Sequence, residues 1–296
     1  MSSQNIATRL IRSGQPKFYE QDLQLHTNYS DGRCTVEQMV RASIANGRKT
    51  IGITDHAIGW DEGDEHFKFF ETGKKFELYL NDIHAAQKKY AGQGVKVLAG
   101  LEVEIGLDGQ MSLAKGILEV VQSENNLLDY IDYVVGVIHS ESFTVSLNEL
   151  DKKSSRKEEP ALLLKNIAAL IANPKILIWG HPFQVVHGHY IRNFRTKERQ
   201  YILSCLQKRG QELLVEHNLN PFPRYHEWGG KSTHYESGKL SPNDLKFFRD
   251  CADINTKFVV STDAHDIQQT SRLNPATRIP KFIEERVAYW GEVGGK

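Results

Sequence analysis

The sequence predicts a parallel α/β barrel, and three observations carry that prediction. Seven short apolar runs alternate with longer amphipathic stretches along most of the 296 residues, the pattern of a parallel sheet with helices packed outside it. Nothing in the composition splits the chain, and one α/β barrel with loop insertions needs about 250 residues or more. Every strand run also ends at or near a His, Asp or Glu, and in parallel α/β folds those ends gather on the ligand-binding face.

The expected strands are 21–25, 50–54, 95–103, 130–138, 176–179, 213–215 and 258–261. The first expected helix, 36–46, follows Cys34-Thr35, with Thr35 able to cap it. The next, 76–90, stops at Ala91-Gly92-Gln93-Gly94, and 161–172 stops at Asn173-Pro174. Gly210 ends 196–208, Ser241 and Pro242 open 242–251, and 280–289 closes the fold. Three stretches break the alternation, 59–73, 140–159 and 218–240, and each follows a strand end. Within the second, the charged run 151–159 reads as a solvated loop. Residues 1–18 read as an N-terminal extension to a single domain over 19–290.

Composition narrows the function. Lys and Arg match Asp and Glu at 37 each, so no global charge draws the chain to nucleic acid or to an anionic membrane. Cys34, Cys205 and Cys251 show no CxxC spacing and form no disulfide framework or cysteine zinc knuckle. The segment 1–12 lacks the apolar stretch of a secretory signal, and no apolar run nears the ~20 residues of a membrane span. A cytoplasmic protein with no membrane partner is expected.

The strand ends carry the chemistry. They deliver Gln24 and His26 with Asp31 just beyond, then Asp55-His56, Glu102 with Glu104, His139, His181, Glu216-His217-Asn218, and Asp263 with His265. Singly, each has a plain explanation as a cap or a hydrogen-bonded surface residue. Gathered on one rim, so many carboxylates and imidazoles need compensating charge, and divalent metal ions supply it.

The run Asp22-Leu23-Gln24-Leu25-His26-Thr27-Asn28-Tyr29-Ser30-Asp31-Gly32 resembles the first motif of the PHP superfamily, the polymerase and histidinol phosphatase domain. Gly52-Ile53-Thr54-Asp55-His56 is similar to the second. Gly100-Leu101-Glu102, Gly136-Val137-Ile138-His139, Gly180-His181-Pro182, Glu216-His217-Asn218 and Asp263-Ala264-His265 follow in the family's order. The resemblance implies a distorted (β/α)7 barrel with loop insertions at the C-terminal face of the strands. It implies two to three divalent ions (Mn, Zn or Fe). Gln24, His26, Glu102 and Asp263 would hold one. Glu102, His139 and His181 would hold a second, and Asp31, His56 and His265 a third. Gln24 stands where the family has a histidine, and its amide oxygen is a weaker ligand than imidazole.

The implied activity is hydrolysis of phosphate esters by metal-activated hydroxide in a di- or trinuclear site. Glu102 would hold the ions together, and Asp55 and Asp263 would orient ligands or carry a proton. Arg192, Arg195, Arg224, His226 and Lys231, in the basic stretches 187–200 and 218–240, are candidate phosphate contacts. A phosphorylated small molecule is the expected substrate. A phosphodiesterase or nuclease acting on nucleic acid or nucleotides is the alternative, as is a metal-binding module with weakened catalysis.

Overall fold

A computed structural model of the chain describes residues 17–58, 69–106, 109–138, 155–182, 194–219 and 242–290. Its strands are β1 (Gln21–Leu25), β2 (Thr50–Ile53), β3 (Lys96–Ile105), β4 (Met111–Ser112), β5 (Tyr133–Val137), β6 (Ile176–Trp179), β7 (Leu214–Asn218) and β8 (Lys257–Ser261). Its helices are α1 (Val36–Ala45), α2 (Gly73–Tyr90), α3 (Lys115–Val121), α4 (Leu127–Tyr130), α5 (Ser155–Ala172), α6 (Thr196–Arg209), α7 (Pro242–Asp253) and α8 (Lys281–Glu284).

Seven strands run parallel in the order β1-β2-β3-β5-β6-β7-β8, and β4 lies antiparallel against the end of β3. The sheet curls into a nearly closed barrel, as the sequence predicts. Its last seam, between β1 and β8, is sealed mostly by side chains. One bridge pairs Leu25 with Ala264, where the His26 N–H donates to the Ala264 carbonyl at 2.9 Å. Below it the Asp22 carboxylate accepts from the Thr262 N–H at 3.1 Å and hydroxyl at 2.6 Å.

The barrel interior is apolar at one end. The Tyr133 hydroxyl donates to the Leu23 carbonyl at 2.6 Å. These residues sit on β5 and β1, which are not neighbours in the sheet, so the bond crosses the lumen. Leu23, Leu98, Tyr133, Val135, Val137, Ile178, Leu214 and Val259 form this inner cluster with Trp290. Gly52 is required beside it, because a Cβ there would sit 1.8 Å from the Tyr133 hydroxyl oxygen. A second, larger core lies between the sheet and the helices, built from residues such as Ile51, Ile53, Val97, Val215, Phe248 and Val260. Successive strand residues face opposite sides. On β7, Leu214 therefore packs inward and Val215 outward.

Local signals set the helix starts. Thr35 caps α1: its Oγ1 accepts from the Gln38 N–H at 3.3 Å, and the Gln38 side chain accepts from the Thr35 N–H at 2.9 Å. Thr72 caps α2 through a single bond, its Oγ1 accepting from the Lys75 N–H at 3.3 Å, and moves the start from the expected 76 to Gly73. Tertiary contacts change four other elements. Residues 127–130 form α4, and β5 starts at Tyr133 because Asp132 binds the Ala99 backbone through both its N–H (2.7 Å) and its carboxylate (2.9 Å). Ser155 to Glu159, expected in a solvated loop, belong to α5. β7 runs to Asn218, so its chemistry-bearing residues lie within the strand. The helix expected over 280–289 is reduced to α8, because the Gln21 side chain takes the Ala288 carbonyl (2.6 Å) and the Trp290 N–H (3.2 Å) and Val287 bridges to Phe258. No helix among the described residues is long and apolar enough to cross a membrane.

His217 faces outward on β7, edge-on to the Phe248 ring at 5.7 Å, with both ring nitrogens buried and without a hydrogen-bond partner. Burial pushes its pKa down from 6.5 to about 4. The folded state therefore binds fewer protons than the unfolded one. Stability present above pH 6.5 is lost as pH falls towards 4, by about 3 kcal/mol in all. His217→Leu is expected to remove that loss and to stabilise at pH 7 as well, since the orphaned polar atoms disappear. Urea unfolding of both proteins at pH 7 and pH 5 measures it; an unchanged pH slope in the variant would refute the assignment.

Candidate metal centre

The opposite end of the lumen is polar, because positions at or just beyond the ends of β1, β2, β3, β6, β7 and β8 hold ionisable or amide side chains there. Glu102 lies at its centre, 1% exposed. Its Oε1 is 3.2 Å from His56 Nδ1 and 3.5 Å from His181 Nε2. Its Oε2 is 3.3 Å from His26 Nε2 and accepts a hydrogen bond from the Gln24 amide. One carboxylate thus touches residues from β1, β6 and the end of β2. A bridge between His56 and Glu102, continued by the Ala57 N–H to the Glu102 carbonyl at 2.8 Å, extends β2 pairing far enough to place His56 there.

Asp263 adds a second carboxylate, its Oδ1 2.9 Å from His26 Nε2. Asp31 closes the open side with a side chain 41% exposed. Its oxygens lie 3.1 Å from His265 Nε2, 3.5 Å from His56 Nε2 and 3.7 Å from His26 Nδ1. The His26 ring stacks on His265 with centroids 4.3 Å apart. Phe69, a buried member of the larger core, stacks on His56 at 5.8 Å and covers that flank.

The loop carrying Asp31 folds back onto β1. Gly32 permits this: a Cβ there would lie 2.6 Å from the His26 and Thr27 backbone. Asp55 pins the same loop. It accepts from the Thr27 N–H (2.8 Å) and hydroxyl (2.7 Å) and from the Ser30 N–H (3.0 Å) and hydroxyl (2.5 Å). Asp55, expected among the catalytic residues, thus has both carboxylate oxygens bound to this loop.

Burial opposes charge throughout this cluster, but the ion pairs outweigh it. Despite burial, Asp263 and Glu102 hold the His26 pKa well above the ordinary value. Burial also opposes protonation of His56 and His181, yet Glu102 raises them to about 10 and about 9. The facing imidazoles in turn hold Asp31, Glu102 and Asp263 well below the usual carboxylate range against burial. Glu216 differs: burial raises its pKa to about 7.

Two groups of side chains present ligand atoms within 4.8 Å of one another: His26, Asp31, His56 and His265, and His26, Glu102 and Asp263. Imidazole and carboxylate donors in such proximity suit a transition-metal dication. Gln24 Oε1, buried without a hydrogen-bond partner, is a further acceptor an ion would satisfy. His26 belongs to both groups, a sharing the sequence did not suggest. His139, Arg192, Arg224, His226 and Lys231 lie outside the described residues. Arg195, expected near substrate, is 86% exposed and pairs with Glu198 in the first turn of α6 at 3.1 Å. Sequence reasoning placed Asn218 on the rim without giving it a role and left Ser261 out. Both are inward-facing, and Asn218 Nδ2 lies 3.2 Å from Asp263 Oδ2. The two-residue repeat of β7 and β8 was the signal that would have found them.

Comparison with known proteins agrees with this architecture. DNA polymerase/3'-5' exonuclease PolX from Bacillus subtilis (strain 168) is 26% identical over 167 residues, 56% of this chain and 24% of that protein. The chain thus spans about a quarter of the length of that relative. The crystal structure of a candidate histidinol phosphatase, hisK, from Listeria monocytogenes superposes with a TM-score of 0.59 at 17% identity, covering 84% of this chain and 96% of that one. At that identity the likeness concerns the fold. The PHP domain profile matches residues 22–218, from the first strand through β7 and hence through Gln24, His26, Asp31, His56, Glu102 and His181. With that match over most of the barrel, the chain belongs to the PHP domain family.

Proposed function

We propose that this chain is a metal-dependent phosphoesterase acting on a small phosphomonoester. PHP proteins bind divalent metals and are typically metal-dependent phosphoesterases. The observation that carries the reading is the pair of ligand groups sharing His26, with Glu102 buried among His26, His56 and His181. Asp31, His56 and His265 would hold one ion. Gln24, His26, Glu102 and Asp263 would hold another, and Glu102 and His181 with His139 a third. Bound ions would supply an activated water and neutralise charge on the phosphoryl oxygens. The chain's own part is orientation: Glu102 fixes three imidazoles, and Asp55 fixes the loop that presents Asp31 on the open side. The equal numbers of basic and acidic residues, 37 each, favour a small substrate over a nucleic-acid duplex. Similarity to the PolX protein supports the second reading, a phosphodiesterase acting on nucleic acid or nucleotides.

The test is hydrolysis of a chromogenic phosphate monoester and the matching diester, by protein stripped of metal and then given Mn²⁺. Metal-dependent preference for the monoester is expected. Preference for the diester would move the assignment to the second reading, and no activity on either would favour a metal-binding module.

Gln24 tunes the centre. A neutral amide is a poorer ligand than imidazole, and here its nitrogen is turned to Glu102. Gln24→His is expected to tighten Mn²⁺ binding by about tenfold, equivalent to about 1.4 kcal/mol. Calorimetric titration reads this. Wild-type affinity in both Gln24→His and Gln24→Ala would remove Gln24 from the ligand set.

A further inference from the structure

We propose that Glu216 and Asn218 on β7 form a clamp that positions His181 and Asp263 and determines which oxygen of Asp263 faces the cluster. The inference rests on the metal-centre reading above. β7 contributes to neither ligand group among the described residues, yet it lies between two strands that lead into candidate ligands. β6 leads into His181 on one side, and β8 leads into Asp263 on the other.

Both of these candidate ligands have left-handed backbones, φ 26° at His181 and φ 49° at Asp263. Side-chain-bearing residues adopt such angles only where surrounding contacts impose them. Glu216 and Asn218 supply those contacts. Glu216 Oε2 accepts the His181 N–H at 2.5 Å, and its Oε1 accepts the Ser261 hydroxyl. The Asn218 amide donates to Glu216 Oε2 at 3.3 Å and to Asp263 Oδ2 at 3.2 Å. Being two residues apart on one strand, Glu216 and Asn218 share a face. The chain of bonds therefore runs unbroken from the end of β6 to the end of β8.

The chemistry at Asp263 follows. Asn218 occupies Oδ2, leaving Oδ1 beside His26 Nε2 at 2.9 Å. Asn218 also separates two buried carboxylates with a neutral donor. Without it, Asp263 can rotate and Glu216 loses its tie to Asp263. Glu216 and Asn218 are thus positioning residues that act through His181 and Asp263.

The test uses the full chain and Mn²⁺ alone as the probe, with Asn218→Ala, Asn218→Ser and Ser261→Ala. Metal affinity is read by titration, and amide hydrogen exchange at His181 is read in the metal-free proteins. Asn218→Ala is expected to weaken Mn²⁺ binding on the order of 10–100-fold, the usual scale for a residue that orients a ligand. Asn218→Ser, which keeps a donor, should recover part of it. Exchange at His181 should quicken in Asn218→Ala and in Ser261→Ala, the latter serving alone if the former does not fold. With a wild type that binds Mn²⁺, either readout unchanged overturns the clamp. If wild type binds no Mn²⁺, the metal-centre reading fails, and exchange decides the clamp by itself: faster supports it, unchanged overturns it.

Discussion

Glu102→Ala is expected to lose Mn²⁺ binding and phosphoester hydrolysis together. The side chain is 1% exposed and contacts His26, His56 and His181 within 3.5 Å. Removing one partner from a buried ionic cluster costs about 3–5 kcal/mol. At about 1.4 kcal/mol per tenfold, that is roughly two to three and a half orders of magnitude in the ratio of folded to unfolded protein. The replacement also leaves three buried imidazoles facing one another with one carboxylate fewer, so the metal-free protein should unfold at lower urea concentration. Glu102→Gln separates the two effects. It preserves shape and the neutral hydrogen bonds but removes the negative charge, so folding should be largely restored while metal binding is not. Metal content by elemental analysis and initial rates on the monoester check both variants. Full activity in Glu102→Ala would end the idea of a centre organised on this carboxylate.

Gly32→Ala should break the centre from its open side. Its Cβ would meet the His26 carbonyl carbon and oxygen and the Thr27 nitrogen, all 2.6 Å away. These are backbone atoms of β1's end and cannot swing aside as a side chain would. The loop must lift, although the Gly32 N–H donates to the Thr27 carbonyl at 2.9 Å and the Arg33 N–H to the His265 carbonyl at 2.8 Å. Overpacking of this kind costs about 1–3 kcal/mol. The lifted loop carries Asp31 away from His56 and His265, so Mn²⁺ affinity should fall roughly tenfold to a hundredfold, the usual scale when a ligand loses its support. Titration with Mn²⁺ and urea unfolding measure the two consequences. Wild-type affinity would show that Asp31 takes no part in metal binding.

These variants probe features that differ in how plainly the sequence announces them. Gly32 stands in a motif whose spacing is visible in the chain, but its reason is not. Only the folded loop shows that the next turn of backbone leaves no room for a methyl group. Asp55 is a parallel case. Its place beside His56 is plain in the chain, while the four hydrogen bonds from Thr27 and Ser30 that tie it to the Asp31 loop appear only in the fold. Arg195 stands among basic residues in the chain, and in the fold it pairs with Glu198, three residues on in the first turn of α6. A linear pattern of charge does not reveal which neighbour takes that charge.

The sequence alone determined the barrel and the family. Alternating β-branched and amphipathic runs are enforced by local geometry, and a ligand set spread over six strand ends appears in order however the chain is bent. It also determined the N-cap of α1, because a capping box closes within four residues. Tertiary structure decided what depends on contacts between distant segments. Gln21 and Trp290, 269 positions apart, draw the C-terminal segment against the barrel and shorten the helix expected there. Asp22 and Thr262, 240 positions apart, seal the seam that makes the sheet a barrel. His26 is shared between two groups of ligand atoms, and β7 ties His181 to Asp263, because adjacent strands bring their inward-facing residues within hydrogen-bonding distance. That proximity arises from sheet order and register, which a single chain of letters does not contain.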